Sequence, residues 1–296
     1  LLLGLILGVA GASFAIALPM VSYWYPPEHQ GMALGLAGAG NSGTVLASLF
    51  APALAVALGW NNVLGLAALP LAAVFIVFLF AAKNSPQCPP RKTLADYANI
   101  LKSRDAWLLM FFYGVSFGGF VGLSSFLPIY FHDKFGLSAV QAGYFTAACV
   151  FAGSFARPFG GALADRIGGT RSLAFVYLFV AGVLFTVAGG GLSVQATLAV
   201  LIAGMSALGM GNGAVFQLVP QRFGRDVGLM TGLVGMTGGI GGFYLAASLG
   251  YAQQFTGSHA FGFSVFAGMA LVAFAGIMSV RPRWRREVGE LAAARI

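Results

Sequence analysis

Charge is what this sequence has least of. Only 8% of its 296 residues are Asp, Glu, Lys or Arg, while 58% are hydrophobic; a soluble domain carries about 25% charge. With a mean hydropathy of +0.86, an ordinary water-soluble globule is excluded. Cysteine is nearly missing too. Cys88 falls in a charged loop and Cys149 inside an apolar run, so no disulfide framework is available. Neither a Ser-His-Asp set nor a Cys/His metal spacing is present, and the Gly-x-Gly runs lie inside apolar stretches instead of after strands. Those absences argue against an enzyme and call for no cofactor or metal. The eight acidic residues, Glu28, Asp96, Asp105, Asp133, Asp165, Asp226, Glu287 and Glu290, all lie in loops or the tail, and His29, His132 and His259 sit at the ends of apolar runs. A carboxylate or histidine relay inside the membrane is therefore lacking from these spans.

What is present is a series of apolar runs long enough to cross a hydrocarbon core of about 30 Å as helices, without the alternation of a barrel strand. They predict an all-α polytopic membrane protein with nine spans, at 1–22, 31–58, 60–82, 106–131, 138–162, 171–189, 193–218, 228–250 and 258–280. The net charge of +8 is a topology signal. Lys83, Arg91, Lys92, Lys102, Arg104, Arg166, Arg171, Arg222, Arg225, Arg281, Arg283, Arg285, Arg286 and Arg295 fall in alternate loops and the tail, against Lys134 alone on the other side. Such a bias places those loops and the C-terminus in the cytoplasm and requires no nucleic-acid partner. The chain divides into helices over 1–82, a Pro-containing basic loop over 83–105 with a weakly amphipathic LADYANILKS segment, a six-helix unit over 106–280 and a tail over 281–296.

An internal repeat runs through these units. Gly11 to Gly43 and Gly211 to Gly242 each hold a helix ending in a proline turn, Pro19 or Pro220, followed by a helix with glycines at i, i+4 and i+7: Gly31, Gly35, Gly38 and Gly228, Gly232, Gly235. Both copies run in the same direction, as in transporters whose halves are related by an axis along the membrane normal. Three spans precede the second copy and none precedes the first, and the chain opens on Leu, so three further helices are expected upstream, twelve in all. Small residues at this spacing let helix backbones approach closely. Gly38, Gly40, Gly43, Gly235, Gly238 and Gly239 are the candidates for packing and gating.

Arg157 is the residue that composition singles out. It follows an uncharged run from Leu137 to Ala156, and a guanidinium in hydrocarbon must find an anion, a wet cavity or the interface. Snorkelling toward the helix end near Ala164 is the alternative. Beyond it, Asp165, Arg166 and Arg171 in ALADRIGGTR suggest a cytoplasmic latch between helices.

The run ALADRIGGTR resembles the loop signature of the major facilitator superfamily. Together with GLAGAGNSG (35–43), GNGAVFQLVP (211–220) and FARPFGGALADRIGG (155–169), it makes the chain similar to the nitrate/nitrite porter family within that superfamily, from the fourth helix to the twelfth. The resemblance implies a monomeric inner-membrane carrier that holds one flat anion between two arginines, one per half. By motif, Arg157 is the C-half arginine, Asn41 a hydrogen-bonding amide, Phe14 the N-half ring, and Tyr113 and Phe117 the C-half aromatic pair; the N-half arginine belongs to a helix outside this chain. Chemistry agrees with that implication. A guanidinium offers a planar oxyanion two parallel donors, and aromatic edges and amides hold a weakly hydrated anion without added charge. A carrier for another small or organic anion, or an anion channel, is the other reading open at this point.

Overall fold

The computed structural model describes residues 29–83 and 93–287, together with 17, 20, 21 and 24–26. Described elements are all helical: α1 (Gln30–Gly38), a 3₁₀ turn (Ala39–Ser42), α2 (Gly43–Leu58), α3 (Trp60–Leu66), α4 (Ala68–Ala81), α5 (Leu94–Ile100), α6 (Arg104–Phe135), α7 (Ala139–Ile167), α8 (Gly169–Ala188), α9 (Val194–Phe223), α10 (Val227–Thr256) and α11 (Ala260–Glu287). Eight crossings are long and apolar enough to span a bilayer: Met32–Leu58, Trp60–Ala81 and each of α6 to α11. The ninth expected span, 1–22, lies almost wholly outside the described residues, as does Phe14.

Several helices run past the limits set by hydropathy alone. At 1.5 Å per residue the 32 residues of α6 reach about 48 Å, well beyond a core of about 30 Å. Asp105, Asp133, Asp165 and Glu287, expected in loops or the tail, therefore sit on helix ends, and the tail expected from 281 is helical as far as Glu287. Local signals set the ends. Ser138 and Gln141 form a capping box at the start of α7, and the Ser193 hydroxyl accepts from the Ala196 N–H at 3.2 Å to start α9. Gly136, Gly168 and Gly257 take positive φ at the turns that follow α6, α7 and α10.

Helices α6 to α11 form a bundle held by two glycine seams. A Cβ at Gly118 would lie 2.8 Å from the Gly241 Cα, which puts α6 directly on α10, and one at Gly213 would lie 2.6 Å from the Gly161 nitrogen, which puts α9 directly on α7. Only backbones without side chains between them approach this closely. The α1–α2 helix packs on α7, where a Cβ at Gly35 would meet the Arg157 carbonyl at 2.8 Å. In contrast, α3 and α4 bury no residue against the described part of the chain.

A candidate anion site at Arg157

The packing brings α1 and α6 onto one side chain of α7, with α9 and α10 behind the rings of α6. Arg157, two-thirds along α7, is 1% exposed, which overrides the snorkelling alternative. Pro158 follows it and removes a backbone donor from the α7 ladder at this level. The Arg157 Nη1 donates to the Gly38 carbonyl, at the point where α1 gives way to the 3₁₀ turn. The backbone tightens from α to 3₁₀ geometry at Gly38, and its carbonyl there accepts the guanidinium from a neighbouring helix. Nε and Nη2 make no hydrogen bond among the described residues, and no carboxylate pairs with the cation there.

Aromatic rings form the rest of the wall. The guanidinium carbon lies 4.8 Å from the centroid of Phe117 and 5.6 Å from that of Phe120, within range of a cation–π attraction. Tyr113 stacks on Phe117 at 5.0 Å and 17°, and Phe216 of α9 meets Tyr113 edge-on at 4.8 Å. The Tyr113 hydroxyl is near enough to Arg157 to couple to it electrostatically. Spacing of four put Tyr113 and Phe117 on one face of α6; Phe120 and Phe216 were not singled out, and the i+3 step from Phe117 was the only available signal for Phe120.

Two glycines give the site its room. A Cβ at Gly38 would lie 2.8 Å from Arg157 Nη1, and one at Gly238 would lie 2.7 Å from the Tyr113 ring and nearer still to Phe117. Gly40, Gly43 and Gly239 are different: a Cβ on any of them meets nothing within 4 Å. The packing role expected of those three has no partner among the described residues. Gly235 is half-buried in α10. Asn41 sits in the 3₁₀ turn, with its Nδ2 buried and unpaired among the described residues. Asn212, 1% exposed on α9 one turn before Phe216, has neither amide atom bonded.

At the basic end of the bundle the geometry differs from the expected latch. Asp165 accepts a hydrogen bond from the Met32 N–H at 3.2 Å, so its carboxylate sits at the positive start of α1. Arg166 is exposed, and Arg281 of α11 lies close enough to exposed Arg171 and to Arg285 to be repelled by both. The strongest ionic knot was missed because its members read as scattered topology charges. Asp105 accepts from both Arg222 and Arg283, Arg222 also reaches Glu287 at 2.6 Å, and the Arg222 guanidinium lies 5.2 Å over the Trp284 ring. One buried carboxylate thus ties together the ends of α6, α9 and α11.

Comparison with known proteins agrees with this architecture. The Major Facilitator Superfamily family description matches residues 1–246. A nitrite extrusion protein of Bacillus subtilis is 32% identical over 274 residues, covering 92% of this chain and 68% of its own length. The chain belongs to the nitrate/nitrite porter family of the major facilitator superfamily. A probable nitrate/nitrite antiporter of Thermus thermophilus is 33% identical over 93% of this chain and 69% of its own, and a probable nitrate transporter of Staphylococcus carnosus 32% over 92% and 71%. Membership makes the chain a multi-pass membrane transporter and not an enzyme.

Proposed function

We propose that this chain is a secondary transporter that moves nitrate and/or nitrite across the inner membrane by alternating access, with its C-terminus cytoplasmic and Arg157 as the anion anchor. The observation that carries the reading is a buried, permanent cation with two donor nitrogens free of hydrogen bonds, set against aromatic rings and away from any carboxylate among the described residues. An isolated buried charge is costly, and a singly negative, planar oxyanion cancels it while occupying the fork of donors. The printed names of the relatives supply the nitrogen oxyanions. Asn41 adds a neutral donor beside the Gly38 junction, and the stacked Tyr113 and Phe117 supply the aromatic wall. A site without a local counter-charge fits anion exchange, or a symport in which protons take another route.

Arg157→Lys is the decisive variant in the complete protein. Lysine keeps the charge and loses the bidentate fork, and charged hydrogen bonds are worth about 1.5–3 kcal/mol, so nitrate affinity should fall about 10-fold to 100-fold. Binding to the purified carrier measures it; wild-type affinity would refute the anchor. Counterflow in proteoliposomes separates carrier from channel, since trans-stimulation by unlabelled nitrate belongs to a carrier alone.

Asp165 is the part of the expected latch that the proposal keeps. Its carboxylate clasps the start of α1 to α7 in this conformation and lets go as the two separate. Asp165→Asn removes a charge worth about 0.3–1 kcal/mol at a helix start and should shift cysteine-accessibility labelling of the cavity toward the inward-open form; unchanged labelling argues against a clasp.

A further inference from the structure

We propose that a groove between α6, α10 and α11 is a seat for an anionic phospholipid, with one acyl chain in the groove and the headgroup phosphate on Arg104. The cavity measures about 500 Å³ and lies on the side of α6 turned away from the Arg157 site: Trp107, Phe111 and Gly114 line it, while Tyr113 and Phe117 face the guanidinium. Gly114 and Gly241 form its floor, and exposed Ile240 and Tyr244 of α10 flank its opening. Its two aliphatic hydroxyls are occupied, and the third hydroxyl belongs to exposed Tyr244 at the opening. Thr237 donates to the Met110 carbonyl at 3.0 Å and Ser248 to the Leu245 carbonyl at 2.8 Å, so the lining suits hydrocarbon.

An apolar lining cannot select among lipids, because every tail is as apolar as the wall. Selection has to come from the polar end, and charge is available there. Asp105 points inward to Arg222 and Arg283. Its neighbour Arg104 is exposed, has no ion pair among the described residues, and precedes Trp107 by three, which places both on one helix face. Lys102 supplies a second exposed cation. The Trp107 indole is pinned at the rim by donation to the Leu101 carbonyl at 2.8 Å, as interfacial tryptophans sit at headgroup level. Basic side chains beside a membrane helix favour anionic headgroups.

The test uses the purified full chain in phosphocholine detergent, titrated with phosphatidylglycerol or phosphatidylcholine carrying brominated acyl chains. The Trp107 share of fluorescence is the difference between the wild type and Trp107→Phe. Phosphatidylglycerol should half-quench it at a mole fraction about fivefold lower than phosphatidylcholine, the scale of one basic contact. Arg104→Gln should abolish the difference, and Ile240→Phe, which narrows the groove, should weaken quenching by both. Equal quenching in the wild type would mean annular lipid only, and a preference surviving Arg104→Gln would remove the headgroup seat. Displacement of the preference by inorganic phosphate would make this a free-anion site. No quenching by either lipid, with Ile240→Cys crosslinking to a second copy or to the chain's own N-terminal segment, would assign the groove to protein.

Discussion

Helices α3 and α4 and helix α6 all read as membrane-crossing and behave oppositely in the described structure. The Trp60–Ala81 crossing has a mean hydropathy of 2.8 and none of it is buried against the described residues, which leave out most of 1–22 in its own half, whereas α6 has a mean hydropathy of 1.7 and is 67% buried. In water the more apolar helix would take the core. In a bilayer the solvent is itself apolar, so hydropathy marks what crosses and says little about what packs. Close packing in α6 follows its glycines, Gly114, Gly118, Gly119 and Gly122, whereas the Trp60–Ala81 crossing has Gly65 alone.

Truncating one ring in each region tests that contrast most strongly. Phe112 is wholly buried in α6, while Phe80 of α4 is 87% exposed. Transfer to lipid costs an apolar side chain little, so the loss on truncation is chiefly the cavity. Phe112→Ala should cost about 2 kcal/mol and Phe80→Ala under about 0.5 kcal/mol, read as thermal stability in detergent. Equal losses would mean that α3–α4 packs as tightly as the bundle.

A finer break lies within α10. Gly238→Ala drives a methyl into the Tyr113–Phe117 stack and should lose about 1–3 kcal/mol by overpacking, along with nitrate binding. Its neighbour Gly239→Ala faces open space and should gain up to about 1 kcal/mol of helix propensity. Matched effects at the two positions would remove the distinction between the site face and the outer face.

The smallest effect expected is on pH dependence, at the end of the bundle opposite the arginine knot. His259 lies edge-on to Tyr130 and Phe126 at 5.2 and 5.3 Å. Burial holds its imidazole below the ordinary value, with Asp133 pulling the other way and Lys134 adding to the depression. The unfolded chain thus binds the proton more readily than the folded one. Stability is full above the ordinary histidine value of about 6.5 and declines as pH falls through it. His259→Gln should flatten the melting-temperature profile between about pH 5 and 7; an unchanged slope would place the titration elsewhere.

Much of the fold was legible because crossing a membrane is a composition problem, and the described helices fall on eight of the nine expected spans. Arg157 stood out for the same reason, as a lone cation in an uncharged run. Pairings were not legible. Asp105 is 117 residues from Arg222 and 178 from Arg283, and Asp165 is 133 residues from Met32; no period or motif links such positions. Charges read as topology markers became a knot because long helices carry their ends past the hydrocarbon and bring those ends together. Phe216 was hidden in a similar way, since its partner Tyr113 lies on another helix.

The bond from Arg157 to the main chain at position 38 has one more consequence. Its acceptor is a carbonyl, which every amino acid possesses, so what position 38 must supply is room: any side chain there would press on the donor nitrogen itself. Cargo therefore arrives at a donor already partly committed to the protein itself. Any swing that draws the first helix away from the seventh frees that donor, linking the grip on cargo to the pose of the carrier without a second titrating group.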